Sequence, residues 1–424
     1  MRASATQERP TTVHADHEGF RQLRFTRREL LRAGAAAAAG AAAGSLAPPR
    51  PAPAAVRPLA VRPPARVALV GVPRDAPAGT LARAVREAAL AVTDFAWLAP
   101  GDRVLLKVMC NSPNPYPATT HPVAVRLMAD MLRERGASVY VGDQSGVQFV
   151  HHTRRNQRGS TRANFRNNGL EAAVHRGSAS IACFEEAGYD AYFAAEPAAA
   201  GHFKREIFLP QIVREVDHII YLPRVSKHVL AGSTLGLKGA VGWLREDSRL
   251  ELHRDAATFL EKCADINGCR EIRERLRLVL SVGTQVQTSF GPDSGHVATP
   301  EVGVVIASEN LVDHDLASCA FLLEVSDQAT PWRARALDPY PSLSSFLNRV
   351  FVSYIWGAGQ FVDVESYDAP RLESPWSCRV LTRGCELFGG RPEQLAVESV
   401  NDSVPAALLD AIKRRAAYPG RSAL

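Results

Sequence analysis

At 424 residues, 46% apolar and 22% charged, the chain is long enough for two domains or one large α/β domain with additions. Its formal charge of +6 sits at one end: the first 65 residues hold ten arginines against four acidic residues, and the remainder balances. With no basic stripe interleaved with aromatics, the charge does not argue for nucleic-acid binding. The seven cysteines contain no Cys-x-x-Cys pair, which argues against structural zinc and iron–sulfur clusters in their usual spacings.

In chain order, a polar stretch leads to Thr26-Arg27-Arg28-Glu29-Leu30-Leu31-Arg32 and an Ala/Gly run to about Ala47. Paired arginines before a weakly apolar run and small residues resemble a twin-arginine export signal. That resemblance implies the twin-arginine translocase as a partner, transport in the folded state and a periplasmic or extracellular location. The run is mostly alanine, too short and too weakly apolar for a stable membrane span. After export, Cys263 with Cys269 or Cys378 with Cys385 would be free to pair, an odd count leaving at least one thiol over.

Residues 48–65 are Pro/Ala-rich and read as an extended linker. An α/β domain is expected over 66–330, with a C-terminal extension over 331–424. A strand is predicted at Arg66–Val72, a helix at Thr80–Val92 and a second strand at Arg103–Met109. A helix capped by Thr120, with Pro122 in its first turn, runs to Arg135 before Gly136. A strand follows at Ser138–Gly142. This alternation predicts mainly parallel sheets flanked by helices, in two lobes with a cleft between them. Residues 147–200 read as an insertion near the sheet edge, its arginines a solvated face. Further on come a strand at Val216–Leu222, a helix over Asp255–Leu276 and a strand at Leu278–Val282. A glycine-rich loop at Phe290–His296 and a strand at Val302–Ser308 then lead to a helix start near Asp313-His314-Asp315, where aspartate serves as a cap.

The chemistry concentrates between Tyr221 and Asp255. His228, Lys238 and His253 share one turn-rich segment that leaves the carboxyl edge of a predicted strand, where open α/β sheets place ligands. Gly232 and Gly236 allow a backbone to approach a ligand closely. Lysine is rare here, six residues in the chain, so Lys238 in a glycine-rich turn suggests a use for its amine. The strand end at Lys107–Asn111 and the loop at Gly291 are expected to line the same site. Cys110, a lone cysteine at a strand end, reads as packing.

Several pieces together resemble a bacterial family known as domain of unknown function 362. They are Leu105-Leu106-Lys107…Asn111; Lys227-His228…Ala231-Gly232…Thr234…Leu237-Lys238…Gly242; Arg249…His253; Gly291-Pro292…Gly295; and Ile306-Ala307-Ser308-Glu309-Asn310…Asp313…Asp315. Many members carry a ferredoxin-like cysteine cluster, absent from this sequence, so no iron–sulfur cluster is expected.

The order His228, glycine-rich turn, Lys238, His253 is also similar to the nickel-pincer enzymes typified by lactate racemase. That resemblance implies His228 as catalytic acid/base, Lys238 as covalent anchor of a nickel-pincer nucleotide and His253 as nickel ligand, with His121 as a partner base. Lys107, Asn111, Gly232, Gly236 and Gly291 would complete the cofactor site. The sequence departs from that family in having Leu235 before Gly236 and no lysine between Lys262 and Lys413. Three functions stay open: a cofactor-dependent enzyme acting on a small hydroxy or carboxylic acid, a non-catalytic binding or redox-partner protein, and a metal-dependent hydrolase.

Overall fold

The computed structural model describes residues 59–197, 201–289, 291–332 and 371–419, together with 350, 352, 353, 364, 365 and 367. The expected export signal lies outside these residues. The linker expected through residue 65 ends sooner: Val61–Arg62 pairs in parallel with Arg391–Pro392. Arg62 reaches the buried Asp313 carboxylate at 2.5 Å.

The main sheet is built from β1 (Arg66–Pro73), β2 (Arg103–Val108), β3 (Ser138–Asp143), β4 (Ser180–Cys183) and β5 (His218–Leu222). β6 (Arg224–His228), β7 (Gly232–Thr234), β8 (Leu276–Gln287), β9 (Val302–Ser308) and β10 (Ala396–Ser399) complete it, apart from the two-residue strand Val297–Ala298. The order is β10-β1-β9-β8-β5-β2-β3-β4. Only β9 runs against its neighbours on this path, so the sheet is mainly parallel, as the alternating pattern predicts. β6 pairs with β8 and folds back on β7 as an antiparallel hairpin.

Both faces of this sheet are buried, which is why its strands read as continuous apolar runs. Alternate residues enter opposite cores. Val104, Leu106 and Val108 join the core covered by α1 (Thr80–Val92) and α2 (Pro122–Arg133). Leu105, Ile219 and Tyr221 join the other core. Val104, Leu105 and Leu106 are fully buried, each worth about 1.5–3 kcal/mol. α1 turns Ala84, Val85, Ala88 and Ala89 to the sheet, the spacing of one helical face.

Several expectations need correction. α2 is capped by His121, whose Nδ1 accepts the Val123 N–H at 3.1 Å, not by Thr120. Thr120 instead accepts the Met109 N–H and donates to the Leu222 carbonyl, tying the ends of β2 and β5 together. The helix expected from Asp255 to Leu276 begins earlier, as α4 (Glu246–Arg254), and then breaks. Lys204 holds the Asp255 carboxylate at 3.0 Å, and short helices follow over Phe259–Asp265 and Arg270–Arg273. The insertion supplies β4, the edge strand beside β3. The C-terminal extension shares the sheet too, because β10 pairs with β1. The two lobes expected from sequence are thus joined by one sheet with a core on either face. All seven cysteines are buried free thiols, so neither candidate disulfide forms.

Candidate functional site

β2, β3 and β5 are parallel neighbours, and the segments that follow them open into one cavity of about 160 Å³. Met109 and Asn111 come from the end of β2, Asp143 and Gln144 from the end of β3, and Arg224 and His228 from β6 just beyond β5. Lys238, Arg249, His253 and Asp293 close it. This is the carboxyl-edge position that parallel sheets give to ligands. A larger hollow of about 330 Å³ opens on the other face of α4, where His151 pairs with Glu246 at 2.8 Å. It gathers none of the residues singled out by sequence.

The β6–β7 hairpin sets half of the site. Residues two apart on a strand share a face, which places Arg224, Ser226 and His228 together. The antiparallel register puts Thr234 opposite Ser226 and Gly232 opposite His228. The His228 ring therefore faces a partner without a side chain. Its Nδ1 accepts the N–H groups of Leu230 and Ala231 at 3.0 and 3.2 Å. These contacts assign the neutral ring's proton to Nε2. Burial first, then the positive charges of Lys238 and Arg224, hold its pKa well below the usual histidine value. His228 is thus a neutral imidazole donor at rest. To act as a base through Nε2 it must first move its proton to Nδ1, against two backbone N–H groups.

Lys238 rides on α3 (Gly236–Gly239), a single turn clamped at both ends. Asp315 accepts the Gly236 and Leu237 N–H groups at 2.9 and 2.7 Å, and Asn267 donates to the Leu237 carbonyl at 2.8 Å. A Cβ on Gly236 would meet Leu311 at 2.5 Å, so only glycine allows this approach. Among the described residues the Lys238 Nζ has no hydrogen bond or ion pair. Burial is the main cause that lowers its pKa, which favours the nucleophilic free amine.

α4 carries Arg249 and His253 one turn apart on the cavity face. His253 Nδ1 meets the Tyr367 hydroxyl at 3.0 Å. Its pKa falls to about 3 through burial and then the nearby Lys238, so it is neutral, the form that ligates metals. Lys107 lies just behind the cavity, held by Asp143 at 2.8 Å and over the Trp243 ring. Asn111 donates to Asp293 at 2.7 Å, fixing that carboxylate on the rim.

The structure therefore brings His228, Lys238, His253 and Asn111 together. It leaves His121 apart: that ring caps α2, packs on Tyr116 and is not on the cavity lining. Gly232, Gly236 and Gly291 are also off the lining and shape the chain behind it. Gly291 adopts φ +77° where a Cβ would lie 2.0 Å from the Lys227 carbonyl. Cys110 is packing, hydrogen-bonded by Ser145 and Asn168. Asp313 and Asp315 do not cap their own helix, α5 (Leu311–Ala329), whose cap is Asn310. Sequence reasoning missed Arg224 and Gln144, whereas Asp293 lies in the Gly291–His296 loop that was expected at the site. Arg224 had a visible signal, a charge directly after a buried strand and four residues before His228 on the same strand face.

Four cations, Lys107, Arg224, Lys238 and Arg249, surround the cavity against two carboxylates, Asp143 and Asp293. Such a site favours an anion. Among the described residues no group of three or more His, Cys, Asp or Glu is placed to hold a metal ion, and no helix is long and apolar enough to cross a membrane.

None of the curated proteins matches the chain. Among solved structures, it is similar to the lactate racemase apoprotein from Thermoanaerobacterium thermosaccharolyticum, at 11% identity and a TM-score of 0.39. That match covers 62% of this chain and 58% of the other. The family described as Domain of unknown function (DUF362) matches residues 104–320, about half of the chain and every strand from β2 to β9, and the protein belongs to it.

Proposed function

We propose that the protein is a cofactor-dependent enzyme acting on a small hydroxy or carboxylic acid, with a nickel-pincer nucleotide held in the cavity. The observation that carries this reading is the convergence of His228, Lys238 and His253, spread over 26 residues of sequence, on one cationic cavity. The residue chemistry fits such a group. Lys238 offers an amine with no ion pair among the described residues, neutral His253 offers a nitrogen ligand, and an anionic nucleotide suits the surrounding guanidinium groups.

In this reading Lys238 anchors the cofactor and His253 ligates the metal. Bound there, the group would supply the two-electron acceptor for oxidation at the substrate carbon. His228 works on the substrate oxygen, donating from Nε2 and taking a proton only after its tautomer shifts. Lys107 and Asn111 act through the carboxylates they hold, Asp143 and Asp293. Gly232, Gly236 and Gly291 give the backbone its close turns. We further propose export by the twin-arginine route, with the cofactor loaded before transport.

A hydrolase with a metal held by side chains alone has less support, since the described residues supply no three-ligand group. The test is peptide mass spectrometry with elemental analysis on protein from cells that make the cofactor. Extra mass on the Lys238 peptide with stoichiometric nickel, both lost in His253→Ala or Lys238→Ala, is the expected result. An unmodified peptide without metal would sink the cofactor and leave a ligand-binding protein.

A further inference from the structure

Among the described residues, six buried side-chain nitrogen or oxygen atoms have no hydrogen-bond partner. Three of them belong to residues on this one cavity: Arg224 Nε, Thr234 Oγ1 and Gln144 Nε2. Buried polar groups are nearly always paired, and leaving one unpaired costs about 1–3 kcal/mol. Three such atoms around one hollow mark a partner that arrives from outside.

The chemistry of the three identifies it. Arg Nε–H and Gln Nε2–H₂ only donate, and Thr Oγ1 donates readily, so the partner is an acceptor. Arg224 is 1% exposed, yet its guanidinium makes one hydrogen bond among the described residues, to the Ala118 carbonyl, and no ion pair. The two nearest carboxylates are already engaged. Asp143 takes Lys107 and the N–H groups of Cys110 and Gln144, and Asp293 takes Asn111 and Gln148. A planar donor fork without a carboxylate of its own matches an incoming carboxylate. Thr234 shares the Arg224 face of the β6–β7 hairpin, and Gln144 is held from behind by the Tyr192 hydroxyl on its Oε1 at 2.7 Å. Its amide is therefore oriented with the –NH₂ unspent.

We propose that Arg224, Thr234 and Gln144 form the receptor for the carboxylate of a small organic acid, with Arg224 as its main anchor. This rests on the cavity being a substrate site, as argued above, and adds the residues that select the substrate. The probe is sodium lactate, titrated by calorimetry into the full chain, with inorganic phosphate as the comparison anion. Lactate binding is expected, weakened roughly 10–100-fold in Arg224→Gln and roughly 3–10-fold in Thr234→Val. The near-isosteric threonine change keeps the test open if the arginine variant does not fold. Phosphate binding in place of lactate would assign the donors to a nucleotide phosphate and overturn the proposal. So would lactate binding that both variants retain, or no lactate binding at all. The cofactor is read separately, from mass and nickel on unsubstituted protein. Failure of the receptor with the Lys238 adduct present overturns the receptor alone, and an intact receptor without adduct or nickel overturns the cofactor alone.

Discussion

Two buried arginines line the same cavity and live by opposite rules. Arg249 is 3% exposed and gives its N–H groups to four carbonyls, those of Leu244, Ser145, Gln144 and Gly242. Arg224 is as deeply buried and has one carbonyl partner among the described residues. Burial lowers the pKa of both, that of Arg224 to about 10. Arg249 fastens α4 to the loop after β3 and so positions His253. Arg224 holds its donors in reserve. Burial alone does not separate a structural charge from a functional one; the count of satisfied donors does.

The largest expected effect tests the structural arginine. Arg249→Met should cost about 3–5 kcal/mol, because four carbonyls lose a charged donor at once. Denaturant unfolding measures it, and a loss below about 1 kcal/mol would mean that water replaces the guanidinium. The next concerns a histidine outside the cavity. His121 has its pKa lowered to about 4 by burial, while an unfolded histidine titrates near 6.5. The unfolded chain binds the extra proton, so stability is lost as pH falls from about 6.5 towards 4, by roughly 3 kcal/mol at most. His121→Asn, which keeps a capping side chain, should flatten that slope in a pH series of melting curves; an unchanged slope would clear His121.

A smaller effect is expected at Asp315, which accepts two N–H groups at the start of α3. Asp315→Asn should cost about 1–2 kcal/mol and change the rate at which an amine-selective reagent labels Lys238. Asp315→Glu is expected to restore neither, since α3 and Leu311 leave no room for the longer arm. An unaltered labelling rate would show that Lys238 is positioned without it. Smallest is Arg224→Met, with stability expected within about 1 kcal/mol of the parent, because it removes a buried charge that has little to lose. If Arg224→Met were as damaging as Arg249→Met, the contrast between the two arginines would collapse.

Much of this was readable in the sequence. α1 appears at the predicted residues because its alanines and Val85 repeat at helical spacing, and β1, β2, β3 and β9 follow from short apolar runs between turns. His228, Lys238 and His253 were legible because they are close in the chain and stand beside glycines. The strand end at Lys107–Asn111 and the loop at Gly291 were also legible as parts of the site, but the side-chain contacts that join these distant segments were not. Asp293 reaches the site through Asn111, 182 residues away, and Asp315 steadies Lys238 from 78 residues beyond the turn it caps. The predicted Thr120 cap failed because two strand ends competed for the same hydroxyl.

Local patterning thus determined the α/β alternation, the order of the strands along the chain and the segment that carries the reactive side chains, since these depend on neighbours within a turn or two. The tertiary structure alone decided that the insertion and the C-terminal region share one sheet, and that the end of β3 joins those of β2 and β5 around the cavity. It also decided which of two buried arginines would be left with donors to spare. Hydrogen-bond satisfaction is a property of the assembled interior, and no single stretch of sequence contains it.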